Sequence, residues 1–157
     1  MEAKKVYKTY RYKNDLSWTA ALKGTMAAAG HPAVGIGSPP EFKGSAEVWC
    51  PEELLIGAVN ACLMLTFLSY AHHRHLEVGG YESHTEGTLE NTDGKYRITR
   101  IAVRPVVSLR AEKDIPLAEE IMKSAKEGCF VSNSVTSTVD LAPQFTIAPS
   151  DSSTPEP

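Results

Sequence analysis

The chain has 157 residues, of which 42% are hydrophobic and 22% charged, and a formal net charge of −3. That length is one domain with at most a small appendage, and the composition is that of an ordinary globular chain. The acidic balance argues against a nucleic-acid binder, which would carry a basic patch or stripe. The opening MEAKKVYKTY holds no apolar stretch of the kind a secretory signal needs. Three cysteines are too few for a disulfide framework, and the odd count leaves at least one thiol. The expected compartment is a reducing cytoplasm, where cysteine pairs are more often catalytic or redox-sensing than structural.

The first 40 residues read as β-structure, with Leu16, Trp18, Ala20 and Leu22 on one face at period 2. AAAGHPAVGIGSPPEF is turn- and loop-rich, and the pair Pro39-Pro40 rules out helix there. Its GIG is no phosphate loop, because the SPP after it removes amides and blocks a helix. A helix is predicted from Pro51, which suits a first turn, to about His73. Glu52 and Glu53 lie at its positive end. Leu54 to Ala71 is free of charge and as long as a membrane span. However, it contains Gly57, Asn60, Thr66 and Ser69, and an all-round apolar helix is equally the centre of a soluble fold. No membrane partner is expected. His72, His73 and His75 lack the i,i+4 spacing of a helical metal pair. They read as a solvated helix end, and no metal is expected.

Residues 77 to 109 read as a hairpin of two alternating strands about NTDG, with Pro105 marking an edge or a bulge. DIPLAEEIMKSAKEGC is an amphipathic helix with Ala118, Ile121, Met122, Ala125 and Cys129 on one face. Asp114 is its N-cap and Gly128 lies near its end. One last strand is expected over roughly 134–147, and APSDSSTPEP as a disordered tail. The domain thus spans residues 1–147 and the tail 148–157. With no βαβ rhythm, the class is α+β, its strands antiparallel and packed about the apolar helix.

Two thiols stand out: Cys62 inside the apolar helix and Cys129 at the inner end of the second. Buried cysteine commonly serves as a small hydrophobe, and that reading stays open for both. Against it, CFVSNS surrounds Cys129 with small polar groups. A nucleophilic thiol must be a thiolate, which needs a cation, a helix N-terminus or hydrogen-bond donors nearby. The middle of an apolar helix supplies none, so donors must reach Cys62 from elsewhere. Leu63, Met64 and Phe67 are candidate apolar walls. Cys50, just before Pro51, is expected to be exposed and silent on substitution.

PEELLIGAVNAC, with CFVSNS about 67 residues later, resembles the osmotically inducible protein C / organic hydroperoxide resistance (OsmC/Ohr) family. PPEFKGSAEVWCPEELL and GTLENTDGKYRITRIAVRP are similar to its OsmC side, and the likeness spans roughly residues 16 to 147. The resemblance implies an intertwined homodimer and a thiol-dependent peroxidase acting on organic hydroperoxides, and hydrogen peroxide as a further substrate. By motif, Cys62 matches the peroxidatic cysteine, Cys129 the resolving cysteine and Glu52 the active-site glutamate. It further implies a Cys62 sulfenic acid, a Cys62–Cys129 disulfide and reduction by a lipoyl or small-thiol dithiol, with no cofactor. The arginine that one branch of the family sets against its glutamate has Lys23 as its nearest counterpart, and lysine lacks the planar fork of arginine. That departure favours the alternative, a non-catalytic ligand-binding or redox-sensing module on the same fold. Glu52 and Cys62 are ten residues apart, about 15 Å along a straight helix. An unbroken helix therefore requires the glutamate to act across a subunit boundary.

Overall fold

The structure is a computed structural model that describes residues 7–149. It comprises two compact units, Met1–Pro51 and Glu52–Pro157. From residue 150 onward, the tail expected at 148–157 lies outside the described residues.

The first unit holds a three-stranded antiparallel sheet in the order β1 (Asp15–Ala20), β2 (Lys23–Ala27), β3 (Val34–Gly37). The expected strand through Leu22 instead turns at Ala21, whose φ of 47° is left-handed. The Trp18 indole N–H donates to the Ala21 carbonyl across that turn at 2.9 Å. β1 is exposed on both faces, with Leu16 and Trp18 among the exposed side chains, so its alternation marks no core face within this chain. The Pro39-Pro40 pair does not exclude helix altogether. A single 3-10 turn forms over Pro40–Phe42, because the fixed φ of proline suits a first helical position, and Lys43 in a left-handed conformation ends it. Beyond it, Trp49 bridges to Ile36 in parallel: its N–H donates to the Gly35 carbonyl at 3.3 Å, and its carbonyl accepts from Gly37 N–H at 3.0 Å. Held along β3 in this way, the chain carries Cys50 off the surface. Cys50 is 6% exposed and not the exposed residue expected.

The second unit is built on α1 (Pro51–His73), one unbroken helix as predicted. Although apolar all round, it buries a single stripe, Val59, Leu63, Phe67 and Ala71, at the i,i+4 spacing that stacks side chains on one face. Opposite lie the exposed Ala58, Ala61, Leu65 and Ser69. Next comes a long hairpin, β4 (Val78–Thr92) and β5 (Lys95–Leu109), paired antiparallel along its length. Asp93 and Gly94, with φ of 55° and 78°, are its two-residue turn. Two left-handed residues in succession match the twist of the strands, which is why Asp-Gly stands there. Asn91 Oδ1 accepts the Gly94 N–H at 3.1 Å.

After β5 comes α2 (Ile115–Gly128), with Asp114 at its N-cap position but making no side-chain capping bond. The predicted last strand is two, β6 (Thr138–Leu141) and β7 (Gln144–Ile147). Both pair with β5 in parallel, against the antiparallel expectation. The cause is the crossover: α2 carries the chain back to the same end of the sheet, so the strands after it must run alongside β5 in its own direction. The sheet is therefore mixed, and the chain contains one β-α-β step that the sequence pattern did not reveal.

Pro105 lies neither at an edge nor at a bulge, but in β5, the central strand. Val103 and Leu109 offer their carbonyls to Ala142 and Ala148 N–H, so odd-numbered β5 residues direct their polar groups toward β6 and β7. β6 pairs with residues up to Val103, and β7 begins pairing at Val106. The N–H that proline lacks thus falls in the gap, where the ladder has no use for it.

Two buried clusters form the core of this unit. One joins Phe67 and Ala71 to Val107, Leu109, Ala118, Ile121, Met122 and Ala125. The other joins Val59 and Leu63 to Ile101, Val103 and Cys129. Phe67 lies wholly in the first, its ring 5.9 Å from that of Tyr81. Phe67→Ala is expected to cost about 3–5 kcal/mol, read as a lower urea midpoint at unchanged slope.

Candidate active site

Cys62 occupies the flank of α1, between the buried Val59–Leu63 stripe and the exposed face, and is half-buried. Its side chain packs on the second cluster, beside Cys129, whose own exposure is zero. Both are free thiols. The structure thus brings together the two cysteines that the sequence placed on inward faces of different helices.

Donors do reach Cys62 from elsewhere in the chain. Where α2 ends, Cys129 leaves the helical conformation with ψ of 112°, and the backbone after it turns across the flank of α1. Burial pushes the Cys62 thiol up. Hydrogen bonds from Val131 N–H, the Cys129 thiol, the Thr66 hydroxyl and Phe130 N–H outweigh that penalty, and the thiol lies below its ordinary range. Hydrogen bonds to a charged acceptor are about twice as strong as those between neutral groups, so this cradle favours thiolate over thiol. Thr66, one turn along α1, also donates to the Cys62 carbonyl at 2.8 Å, so its single proton is shared between carbonyl and sulfur.

Cys129 is the opposite case. Burial pushes it up, and the hydroxyl and N–H of Ser132, at 3.1 and 3.5 Å, offset this only in part. The neighbouring Cys62 raises it further, because two adjacent thiolates repel. The two neighbouring thiols are therefore pushed in opposite directions, and Cys62 is the one of the pair that gives up its proton first.

Glu52 sits apart. The helix between it and Cys62 is unbroken, so the two stand about 15 Å apart along the axis. Its Oε2 is buried, and no donor among the described residues reaches it. Lys23 is engaged within the first unit by Glu47, at 3.0 Å with both side chains largely exposed. Of the expected walls, Leu63 shares the cluster that holds the thiols, whereas Phe67 belongs to the other. Ile56, Val131 and Val135 pack beside the pair instead. The residues that sequence reasoning missed are Phe130 and Val131, which act through backbone N–H groups, and Thr66. Only the small polar run after Cys129 hinted at them. No three His, Cys, Asp or Glu side chains cluster as a metal site among the described residues.

Because the Cys62 sulfur is held below its ordinary range, its alkylation by iodoacetamide should be half-maximal below the usual thiol value of about 8.5. The folded protein then keeps its reactive thiolate at pH values where the unfolded chain has lost it. Thr66→Val removes one donor and should move the midpoint upward. A midpoint that stays in place would remove Thr66 from the cradle.

The sequence profile of the OsmC-like protein family matches residues 44–143. The chain is 29% identical over 121 residues to the uncharacterized protein YmaD of Bacillus subtilis (strain 168), covering 75% of this chain and 80% of that one. Among solved structures it is similar to VCA0330 of Vibrio cholerae O1 biovar eltor, an OsmC-like protein of unknown function. The TM-score is 0.78 and the identity 24%, covering 86% of this chain and 99% of the other. It is also similar in fold to an organic hydroperoxide resistance protein OsmC of Legionella pneumophila, with a TM-score of 0.69, 18% identity and coverage of 89% and 99%. With its α+β architecture around a central apolar helix and a profile match across most of its length, this chain belongs to the OsmC-like family.

Proposed function

We infer that the protein is a thiol peroxidase that reduces organic hydroperoxides, with Cys62 as the peroxidatic and Cys129 as the resolving cysteine. One observation carries the reading: a half-buried thiol receives two backbone N–H groups while a second, fully buried thiol lies against it. Packing alone has no use for amide donors aimed at a sulfur. Hydroperoxide-resistance proteins among the structural neighbours agree with the chemistry.

The Cys62 thiolate attacks the terminal peroxide oxygen, the O–O bond breaks, alcohol leaves and a sulfenic acid remains. Cys129 then attacks that sulfur, forming the disulfide and expelling hydroxide. An external dithiol, lipoyl or small, reduces the pair through a mixed disulfide. The aliphatic surroundings of the pair, Leu63, Ile56 and Val131, favour organic over hydrogen peroxide. One equivalent of an organic hydroperoxide should consume two thiols per chain without adding mass. Unchanged thiols would instead mark a binding module. Cys62→Ser should abolish peroxide consumption, while Cys129→Ser should retain a first turnover and accumulate sulfenic acid, visible in intact-mass spectra. Mass spectra with sulfenic acid on Cys129 in the Cys62→Ser chain would reverse the roles.

The working unit is a homodimer with two sites, each completed by the partner's glutamate. Supporting this, Glu52 Oε2 is buried without a donor among the described residues, about 15 Å from Cys62 along an unbroken helix. The uncovered apolar face of α1, with Leu65 61% exposed and Leu55 39%, is a second support. Co-refolding inactive Cys62→Ser with inactive Glu52→Ala chains should restore part of the activity, because some heterodimers hold one intact site. A fully active monomer in sedimentation would refute the shared site.

A further inference from the structure

The cluster that holds the two sulfurs contains Val59, Leu63, Ile101 and Val103, with Ile56, Ile98, Val131, Val135, Val139 and Leu141 packed on it. Within this aliphatic packing the two thiols lie against each other, each the nearest titratable partner of the other. The peroxidase reading creates a proton problem there. When Cys62 takes the terminal OH of a hydroperoxide, the oxygen left behind departs as an alkoxide, a strong base. It forms beside the Cys62 sulfur, against which the Cys129 thiol packs with its proton held by burial.

Ser132 supplies the second half of the argument. Its hydroxyl and its own N–H both reach Cys129 Sγ, at 3.1 and 3.5 Å. A protonated thiol with zero exposure gains little from two donors, since sulfur in a thiol is a weak acceptor. A thiolate at the same place gains much more. The geometry is therefore prepared for charge on Cys129 at a later stage than the resting one.

We propose that Cys129 is the general acid for the departing alkoxide, and that Ser132 is the positioning residue that then holds Cys129 as the thiolate for the second step. The inference rests on the peroxidase reading, and the steps balance. Cys62–S⁻ and ROOH give Cys62–SOH and RO⁻. RO⁻ takes the Cys129 proton, leaving ROH and Cys129–S⁻. Cys129–S⁻ attacks Cys62–SOH, forming the S–S bond and releasing hydroxide. The cysteine pair loses two electrons and the O–O bond gains them. The first step thus generates the resolving nucleophile at the moment its target appears, and the pair never holds two thiolates while Cys62 is reduced.

The test is a leaving group that needs no proton. Single-turnover oxidation of Cys62 is monitored with tert-butyl hydroperoxide, which expels a strongly basic alkoxide, and with peracetic acid, which expels acetate. Iodoacetamide alkylation measures the thiolate content of each variant. Relative to alkylation, Cys129→Ala should slow the hydroperoxide reaction by on the order of 100-fold, the scale of general acid catalysis, and leave the peracid reaction close to that of the wild type. Equal slowing with both oxidants would mean that Cys129 only shapes the site, and would overturn the proposal while leaving the peroxidase reading intact. A wild-type chain inert to tert-butyl hydroperoxide would remove the peroxidase reading, and the proposal with it. For Ser132, the readout is closure of the disulfide after the first step. Ser132→Ala should slow it and shift its pH dependence upward, and Ser132→Thr, which keeps the hydroxyl, should restore it. A closure rate and pH profile unaffected by Ser132→Ala would take Ser132 out of the assignment.

Discussion

A sulfur partway along an apolar helix can carry negative charge only if polar donors are delivered to it from another part of the chain. The amides of Phe130 and Val131 are those donors, and the rest of the second unit serves to place them. β5, α2 and the return to β6 form one crossover, and the turn at its far end lays residues 129 to 132 across the flank of α1. Close approach of the two helices is part of that delivery. A Cβ on Gly128 would stand 2.3 Å from the Tyr70 hydroxyl, so any larger residue there would make the Tyr70 side chain swing aside.

The two core clusters divide the work. The larger fixes α2 against the C-terminal half of α1 and the hairpin, through Phe67, Ile121, Met122 and Leu109. The smaller encloses the sulfur pair in aliphatic side chains. Leu141 packs on both and ties β6 to each. In such apolar surroundings hydrogen bonds to a charge strengthen, while an unshared charge becomes costly. That is why two chemically identical thiols, lying side by side, move in opposite directions: one has donors enough to outweigh burial and the other does not.

The surroundings of this pair in a single chain are lopsided. One side of α1 is closed by core, while the opposite side presents Ala58, Ala61 and Leu65 uncovered. Glu52 places a buried carboxylate oxygen where no donor among the described residues reaches it. Lys23, the basic residue nearest in motif to the family's arginine, is already matched with Glu47 in an exposed pair of the kind that contributes little.

Much of the fold was legible in local chemistry. Pro51 with two glutamates after it marks the start of α1, Asp93-Gly94 the hairpin turn, and the spacing of Ala118, Ile121, Met122 and Ala125 the buried face of α2. These signals depend on nearest neighbours and on helical or strand period, both carried by the sequence itself. The inward placement of Cys62 and Cys129 could be read the same way. Tertiary structure alone decided the features that depend on partners distant in sequence: the parallel pairing of β6 and β7, the gap that accommodates Pro105, the burial of Cys50 beside β3, and the amide donors of Phe130 and Val131. Every residue but proline carries a backbone N–H, so no residue type announces which amide will meet a sulfur. Only the packing of α2 against α1 determines that.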